Sequence, residues 1–375
     1  LQWSREYDAG QNFQLIGGGR AYGRPQAFLG TYCSLFRNDG GIFEDVSEQA
    51  GLKVANRDTG SPMGKSLGVC FDDFNEDGWL DVIVSNDTVQ NFLFLNQKDG
   101  TFAEIGALSG VAFDPQGAAR GAMGIASERY RNDSSIGVAI GNFSNEMTAL
   151  YVTPAKQVQF RDEAVANGLG PLTRLQLSFG LFFADVDLDG RIDLFQANGH
   201  LEEDISKVQS SQTYEQSPQL FWNAGKSHNL EFLPLDARQL GDDFEKPLVG
   251  RGAAYADIDS DGDPDLLITT VGQKPRLLRN DQQLGHHWLR IKLIGNGTSS
   301  NRNAIGAFVT LETSQGKQTR LVSPTKSYLS QVELPLTFGL GSDESIKSLN
   351  IRWPDGSTQS VASPEIDREL VIEQK

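Results

Sequence analysis

The stretch that decides the fold is Asp185-Val186-Asp187-Leu188-Asp189-Gly190-Arg191-Ile192-Asp193, and the chain writes it three times. The other copies are Asp73-Phe74-Asn75-Glu76-Asp77-Gly78-Trp79-Leu80-Asp81 and Asp257-Ile258-Asp259-Ser260-Asp261-Gly262-Asp263-Pro264-Asp265. Oxygen-bearing side chains stand at loop positions 1, 3, 5 and 9, with glycine at 6. Alternate positions 1, 3 and 5 can turn their oxygens inward, and glycine permits a backbone conformation that a side chain would resist. Acidic groups packed this closely repel one another unless a cation joins them or some take up protons. A hard divalent cation with flexible, many-oxygen coordination answers that need, and calcium fits it best. The expected ligands are therefore Asp73, Asn75, Asp77 and Asp81; Asp185, Asp187, Asp189 and Asp193; and Asp257, Asp259, Asp261 and Asp265. Position 7 (Trp79, Arg191 and Asp263) is expected to add its backbone carbonyl, for about three ions in all.

An EF-hand loop opens in the same way, but it needs a bidentate glutamate at position 12 and a helix on each side. Position 12 holds Val84, Gln196 and Ile268, and the flanks Val82-Ile83-Val84, Leu194-Phe195 and Leu266-Leu267-Ile268 are short apolar runs of strand type. The loops are thus calcium-type turns joining two strands. The plainer alternative is an Asp-rich β-turn without metal.

The loops begin at 73, 185 and 257, and the first gap is twice 56 residues. A degenerate copy falls on the same beat at Arg129-Tyr130-Arg131-Asn132-Asp133-Ser134-Ser135-Ile136-Gly137. Arg129 and Arg131 replace two ligands, so this loop is expected to hold no calcium. Its guanidinium groups are expected either to supply the missing positive charge from within the chain or to face solvent. A second motif keeps time with the first: Leu35-Phe36-Arg37-Asn38, Leu93-Phe94-Leu95-Asn96, Leu150-Tyr151-Val152-Thr153, Leu220-Phe221-Trp222-Asn223 and Leu277-Leu278-Arg279-Asn280. The one long interval is filled by a polar excursion from Glu202 to Pro218, expected as a surface, partner-facing loop. In the clearest copy the strands are expected near 67–71, 80–85, 92–96 and 101–105. Four short strands per repeat at this period is the mark of β-propeller blades. Four to five such units, with an N-terminal remnant of outer strands only (33–46), occupy residues 1–282. The ring is either closed with few blades, completed by a partner or by self-association, or cut short; the chain opens on Leu1, and an upstream portion is expected. From 283 to 375 the period breaks into alternating strands, expected as a separate small antiparallel β-sandwich. The fold class is all-β.

The net charge is −16. Residues 286–375 hold 10 Lys+Arg against 9 Asp+Glu, so the acid excess lies with the Asp loops. That surface argues against nucleic acid as a partner. No apolar run approaches the ~20 residues that cross a bilayer. Cys33 and Cys70 form no metal motif. No nucleophile elbow, P-loop or zinc spacing is present. His200, near Glu202, Glu203 and Asp204, is expected to cap a strand end rather than bind a second metal. His287 is expected to pack. Tyr328, with Ser327, Ser330 and Gln331, is expected to fix a turn rather than hold a ligand.

Phe179-Gly180 with Phe183-Ala184-Asp185-Val186-Asp187-Leu188-Asp189-Gly190 resembles the FG-GAP/VCBS repeats of integrin-α-type propellers. His287-Trp288-Leu289, Ala304-Ile305-Gly306-Ala307, Ser327-Tyr328-Leu329-Ser330-Gln331, Phe338-Gly339-Leu340-Gly341 and Trp353-Pro354-Asp355-Gly356 resemble the ASPIC/UnbV domain of the cartilage acidic protein family. The resemblance implies a calcium-loaded propeller with further blades upstream, followed by a small β domain, in a secreted, periplasmic or cell-surface protein. Three departures stand out: the Arg129 loop, the short N-terminal region, and Pro324-Thr325-Lys326 where glycine-rich sequence is usual. The leading expectation is a non-enzymatic interaction module whose partner is a protein or glycan at a surface. The alternative is a carbohydrate-active or cyclase-like enzyme built around a propeller pocket, which the fold allows.

Overall fold

A computed structural model describes residues 13–16, 21–154 and 156–375. Part of the loop expected at the N-terminus, residues 17–20, lies outside the described residues. Four antiparallel sheets follow one another as blades. Blade 1 runs Ser66–Asp72, Asp81–Asn86, Phe92–Asn96 and Phe102–Glu104, within a residue or two of the expected spans. Blade 2 is Ala122–Glu128, Ile136–Asn142, Ala149–Thr153 and Arg161–Asp162; blade 3 is Ser178–Ala184, Asp193–Asn198, Gln219–Asn223 and Phe232–Pro234. Blade 4 has three strands, Gly250–Ala256, Asp265–Thr270 and Arg276–Leu278. The N-terminal remnant is a two-stranded hairpin, Phe36–Asp39 with Ile42–Asp45.

Stacking explains the composition. The second strand of blade 1 is buried on both sides. Ile83 meets Ile125, Val138 and Ile140 of blade 2, while Val82 and Val84 meet Ala50, Leu52 and Phe92. A strand covered on both faces reads as a continuous apolar run, as here, rather than as an alternation. Blade 4 differs. Leu266 and Ile268 pack on blade 3, but Leu267 and Leu277 are 40% and 55% exposed. At the other end of the arc, Phe36, Ile42 and Phe43 face solvent.

The sheets from His287 onward form a sandwich. One sheet is Lys317–Leu321, Phe308–Glu312, Ser348–Arg352 and Thr358–Val361; the other is Leu336–Gly341, His287–Ile294 and Arg368–Glu373. Leu289, Ile291, Val309, Leu311, Phe338 and Trp353 fill the space between. One pairing departs from the antiparallel expectation: His287–Ile294 and Arg368–Glu373 run parallel, because residues 353–367 carry the chain back along the sandwich before the last strand. The methyl-deep core of such a domain contributes roughly 1.5–3 kcal/mol per fully buried large side chain.

The sandwich sits on the propeller face that carries the Asp loops. It also sends a short hairpin, Thr325–Lys326 with Ser330–Gln331, in among the innermost strands. Ser327 and Ile125 exchange backbone hydrogen bonds in both directions, at 3.0 and 3.3 Å. Tyr328 packs its ring on Phe179 at 4.9 Å. A Cβ on Gly124 would lie 2.0 Å from the Phe179 carbonyl oxygen, so only glycine lets the inner strands and the hairpin meet. At the hairpin's root Lys326 Nζ donates to Glu128 Oε2 at 2.9 Å, both side chains buried.

Candidate metal centres

The three Asp loops share one hydrogen bond. In each, the glycine at position 6 donates its N–H to Oδ2 of the position-1 aspartate: Gly78 to Asp73 at 2.9 Å, Gly190 to Asp185 at 3.0 Å and Gly262 to Asp257 at 3.1 Å. These glycines have φ of +98°, +90° and +104°, which a side chain would resist. Holding Oδ2 in this way turns Oδ1 toward the loop interior. In the 185 loop, Oδ1 of Asp185 is buried with no hydrogen-bond partner. A buried, unpaired carboxylate oxygen is costly unless a cation meets it. Asp185, Asp187 and Asp193 offer oxygens within 4.8 Å of one another, and so do Asp257, Asp259 and Asp261.

The 73 loop does not bring three carboxylates that close among the described residues. Its position 3 is an amide, and Asn75 donates to Asp77 Oδ2 at 2.9 Å. Lys98 Nζ lies 3.2 Å from the same oxygen, and Asp73 Oδ1 accepts from the Asp77 N–H. Of the three, this loop's negative charge is the most nearly answered from within the protein.

Position 9 is a strut as well as a candidate ligand. Oδ2 of Asp81, Asp193 and Asp265 accepts the position-2 N–H, from Phe74, Val186 and Ile258. Oδ1 accepts the N–H of Asn96, Asn223 and Asn280, each at 2.8 Å. Those asparagines close the second motif; the side chains of Asn96 and Asn223 bond back to the carbonyls of Leu80 and Ile192 in their own loops, and those of Asn223 and Asn280 reach the carbonyls of Tyr130 and Val186 in the preceding loops. The Asp loop and the second motif therefore keep one beat because they are two halves of one hydrogen-bonded corner. At position 7 the N–H groups of Trp79, Arg191 and Asp263 donate to the position-5 aspartates at 2.9, 2.8 and 3.3 Å, so that backbone borders each cage. Asp263 adds a buried Oδ1 without a partner, and Trp222 Nε1 donates to Asp187 Oδ2 at 2.9 Å.

The electrostatics run the same way. Burial first, then the charges of Asp189 and Asp187, push the Asp185 carboxyl well above its ordinary range. Asp193 rises for the same reason, with Asp187 and Asp185 adding to burial. Burial raises Asp263 to about 8, helped by Asp261 and Asp265. Burial raises Asp81 to about 7. Sites that strain to stay ionised gain most from a divalent cation.

The 129 loop is built otherwise. Neither arginine faces solvent. Arg129 donates to Asp72 of blade 1 at 3.0 Å and lies over the Phe308 ring at 5.0 Å. Arg131 holds Glu231 at 2.7 Å and Glu163 at 2.7 Å. The positive charge is supplied from within the chain, but to Asp72 and Glu231 of the neighbouring blades and to Glu163 at the edge of its own, rather than to the loop's own cage.

The remaining singled-out residues are structural. His200 Nδ1 accepts the Glu202 N–H at 2.9 Å, and Nε2 meets Ser144 Oγ at 3.2 Å, which makes it the strand-end cap expected. His287 bonds Asp367 at 2.7 Å. Cys33 and Cys70 are both free thiols. The 202–218 excursion carries a short helix, Ile205–Val208. No helix among the described residues is long and apolar enough to cross a membrane.

Comparison with known proteins agrees with the residue patterns. Residues 73–134 match the FG-GAP-like repeat family and residues 297–375 match the ASPIC and UnbV family. Cartilage acidic protein 1 of Mus musculus is 29% identical over 336 residues, covering 88% of this chain and 47% of the relative. The Homo sapiens protein of the same name is 28% identical, covering 88% and 46%. The chain is homologous to these proteins and spans about half the length of the curated relatives it matches. Among solved structures, the Dos1 propeller is 10% identical with a TM-score of 0.30, covering 76% of this chain and 57% of that one. An exo-β-1,3-galactanase from Phanerochaete chrysosporium is 10% identical with a TM-score of 0.34, covering 90% and 89%. Likenesses this faint carry no argument, and the propeller architecture stands on the chain's own sheets.

Proposed function

We propose that this chain is a calcium-stabilised, non-enzymatic interaction module that works outside the cytoplasm and presents its propeller to a surface protein or glycan. The observation that carries the proposal is the repeated cage. Three loops hold Oδ2 of position 1 on a glycine N–H, and the best-buried of them leaves Asp185 Oδ1 unpaired among acidic neighbours. The oxygens of Asp185, Asp187, Asp189 and Asp193, and of Asp257, Asp259, Asp261 and Asp265, would hold an ion with the backbone of Arg191 and Asp263. Asp73, Asn75, Asp77 and Asp81 would hold a third, beside Trp79. The ion's chemistry is structural: it neutralises the cage and binds the folded loop better than the unfolded one. Such binding adds about 2.7 kcal/mol at a hundredfold excess over Kd. An extracytoplasmic setting, where calcium is plentiful, follows from that dependence and from the homology to cartilage acidic protein 1.

Two cavities lie at the seam between propeller and sandwich. A cavity of about 30 Å³ there is lined by Glu128, Asp185, Tyr255, Arg320, Lys326 and Glu333. Two of its acids are paired, Glu128 with Lys326 and Glu333 with Arg290 at 2.7 Å, while Asp185 Oδ1 and Arg320 Nε have no hydrogen-bond partner. A wider cavity of about 390 Å³ lies beside the 257 loop, lined by Asp261, Asp263, Asp281, His286 and Trp288.

Asp187→Ala should lower the melting temperature in calcium far more than Asp133→Ala in the degenerate loop, and the gap should close in chelator. Equal losses in calcium would refute the ligand assignment. A second reading, self-association, is favoured by the exposed Leu267 and Leu277 at one end of the arc and Phe36, Ile42 and Phe43 at the other. Light scattering that gives a monomer mass at all concentrations would remove it.

A further inference from the structure

We propose that the C-terminal sandwich is a cation-dependent cap, docked on the propeller through the same carboxylate oxygen in each metal loop. This inference rests on the calcium reading above and adds a regulation to those sites. In the 73 loop, Asp73 Oδ2 accepts from Arg352 Nη2 at 3.1 Å. In the 185 loop, Asp185 Oδ2 accepts from the Gly339 N–H at 3.2 Å. In the 257 loop, Asp257 Oδ2 lies 3.2 Å from Arg290 Nε. Arg352, Gly339 and Arg290 belong to three different strands of the sandwich. Each donor reaches the one oxygen that the glycine of position 6 also holds.

Position 1 is thus shared. Its Oδ1 belongs to the cage and its Oδ2 to the cap. The two are coupled by a rigid carboxylate, so whatever orients Oδ1 also aims Oδ2. With a cation in the cage, the carboxylates at positions 1, 3 and 5 converge and Oδ2 stands toward the sandwich. Without it, three or four like charges within a few ångströms repel, and the first residue to move takes the docking acceptor with it. The close fit sharpens the effect. A Cβ on Gly262 would fall 2.1 Å from the Trp288 ring, and one on Gly339 would fall 2.2 Å from Asp185 Oδ2. Small loop movements therefore cannot be absorbed at the seam.

The degenerate loop supplies the contrast. There the sandwich docks through Arg320 Nη1 on Asn132 Oδ1 at 3.1 Å and through the stacking of Arg129 on Phe308. None of these groups needs a cation to hold its place. Blade 2 and the 325–331 hairpin, which also touches Phe179 and Ala253, form a permanent attachment, while the Asp loops of blades 1, 3 and 4 form the conditional one.

The test is hydrogen exchange on the full chain, in saturating calcium and in chelator, well below the unfolding temperature, with bound calcium counted in the same samples. Exchange within 336–341, where Gly339 docks, should quicken at least tenfold on chelation, while 308–312 inside the sandwich and 136–142 in blade 2 should not change. Arg352→Gln, a half-exposed position that leaves the cage intact, should quicken exchange in 348–352 and 73–81 even in calcium, with the ion count unchanged. If calcium binds and the seam exchanges at one rate with and without it, the cap proposal is overturned and the calcium reading survives. If Arg352→Gln leaves exchange in both segments at the wild-type rate, the cap proposal also falls. If no calcium binds, both fall.

Discussion

Lys326 offers the sharpest test of how the sandwich is rooted. Its ammonium sits 2.9 Å from Glu128 with both side chains 8% exposed, between the hairpin and the inner strand of blade 2. Burial alone would raise the Glu128 carboxyl, but the charges of Lys326 and Arg320 outweigh it and hold Glu128 below the usual glutamate range. Lys326→Met keeps the length of the side chain and removes the charge. Glu128 is then left buried beside Arg320, whose guanidinium bonds Asn132 and Gln318 instead. Removing one member of a buried pair costs about 3–5 kcal/mol, because the survivor stays desolvated without its partner. Glu128→Gln should cost a similar amount by stranding Lys326. The double variant leaves no buried charge in the pair, so it should recover most of either loss. Equilibrium urea unfolding in calcium gives all four stabilities, and the coupling energy should be at least about 2 kcal/mol. Single losses below about 1 kcal/mol, or losses that simply add, would show that solvent reaches the pair and that the hairpin is not anchored by it.

Other consequences follow from the same structure. Burial holds His200 neutral, with its pKa lowered from 6.5 to about 4. The unfolded chain therefore binds the extra proton first, and stability present above pH 6.5 is lost as the pH falls toward 4. Between pH 7.5 and pH 5 this amounts to about 2 kcal/mol, and His200→Asn, which keeps an acceptor for the Glu202 N–H, should flatten that part of the pH–stability curve. An unchanged slope would assign it to the carboxylates. Gly124→Ala should cost more than 2 kcal/mol by denaturant unfolding, because its methyl would press on the Phe179 backbone oxygen rather than on a side chain that can turn away. Arg131→Gln, which frees Glu231 at 4% exposure, should destabilise blade 3 more than Asp133→Ala does, read by thermal unfolding.

The blades were legible in the sequence because their signals are local. The beat of the Asp loops and of the Leu-Phe-x-Asn motif located the four blades, although blade 4 has three strands rather than four, and glycine at position 6 marked the turn without revealing the bond its N–H makes to the position-1 aspartate. Less was visible wherever a residue's meaning depends on a partner far along the chain. Asn96, Asn223 and Asn280 were legible only as the ends of a repeating motif, and their role depends on Asp81, Asp193 and Asp265, which accept their N–H groups. Their constant offset from the loops was the signal that could have revealed them. Arg129 and Arg131 were expected at their own loop or in solvent, yet both reach acids on other blades, contacts no periodicity encodes. The docking of the sandwich on the Asp loops was equally hidden, since Arg352 and Asp73 are 279 residues apart. The Ser-Tyr-Leu-Ser-Gln stretch read as a turn in an isolated small domain. It is a turn, but one that also bridges the propeller through the backbone of Ser327 and Ile125.

The central claim is that the Asp loops hold calcium and that the fold depends on it. Thermal unfolding of the full chain in calcium and in chelator, with metal counted in the purified protein, tests it most directly. The account predicts about three ions per chain and a large fall in melting temperature on chelation, restored by added calcium. A protein without bound metal, melting at one temperature under both conditions, would reduce the loops to turns and contradict the account.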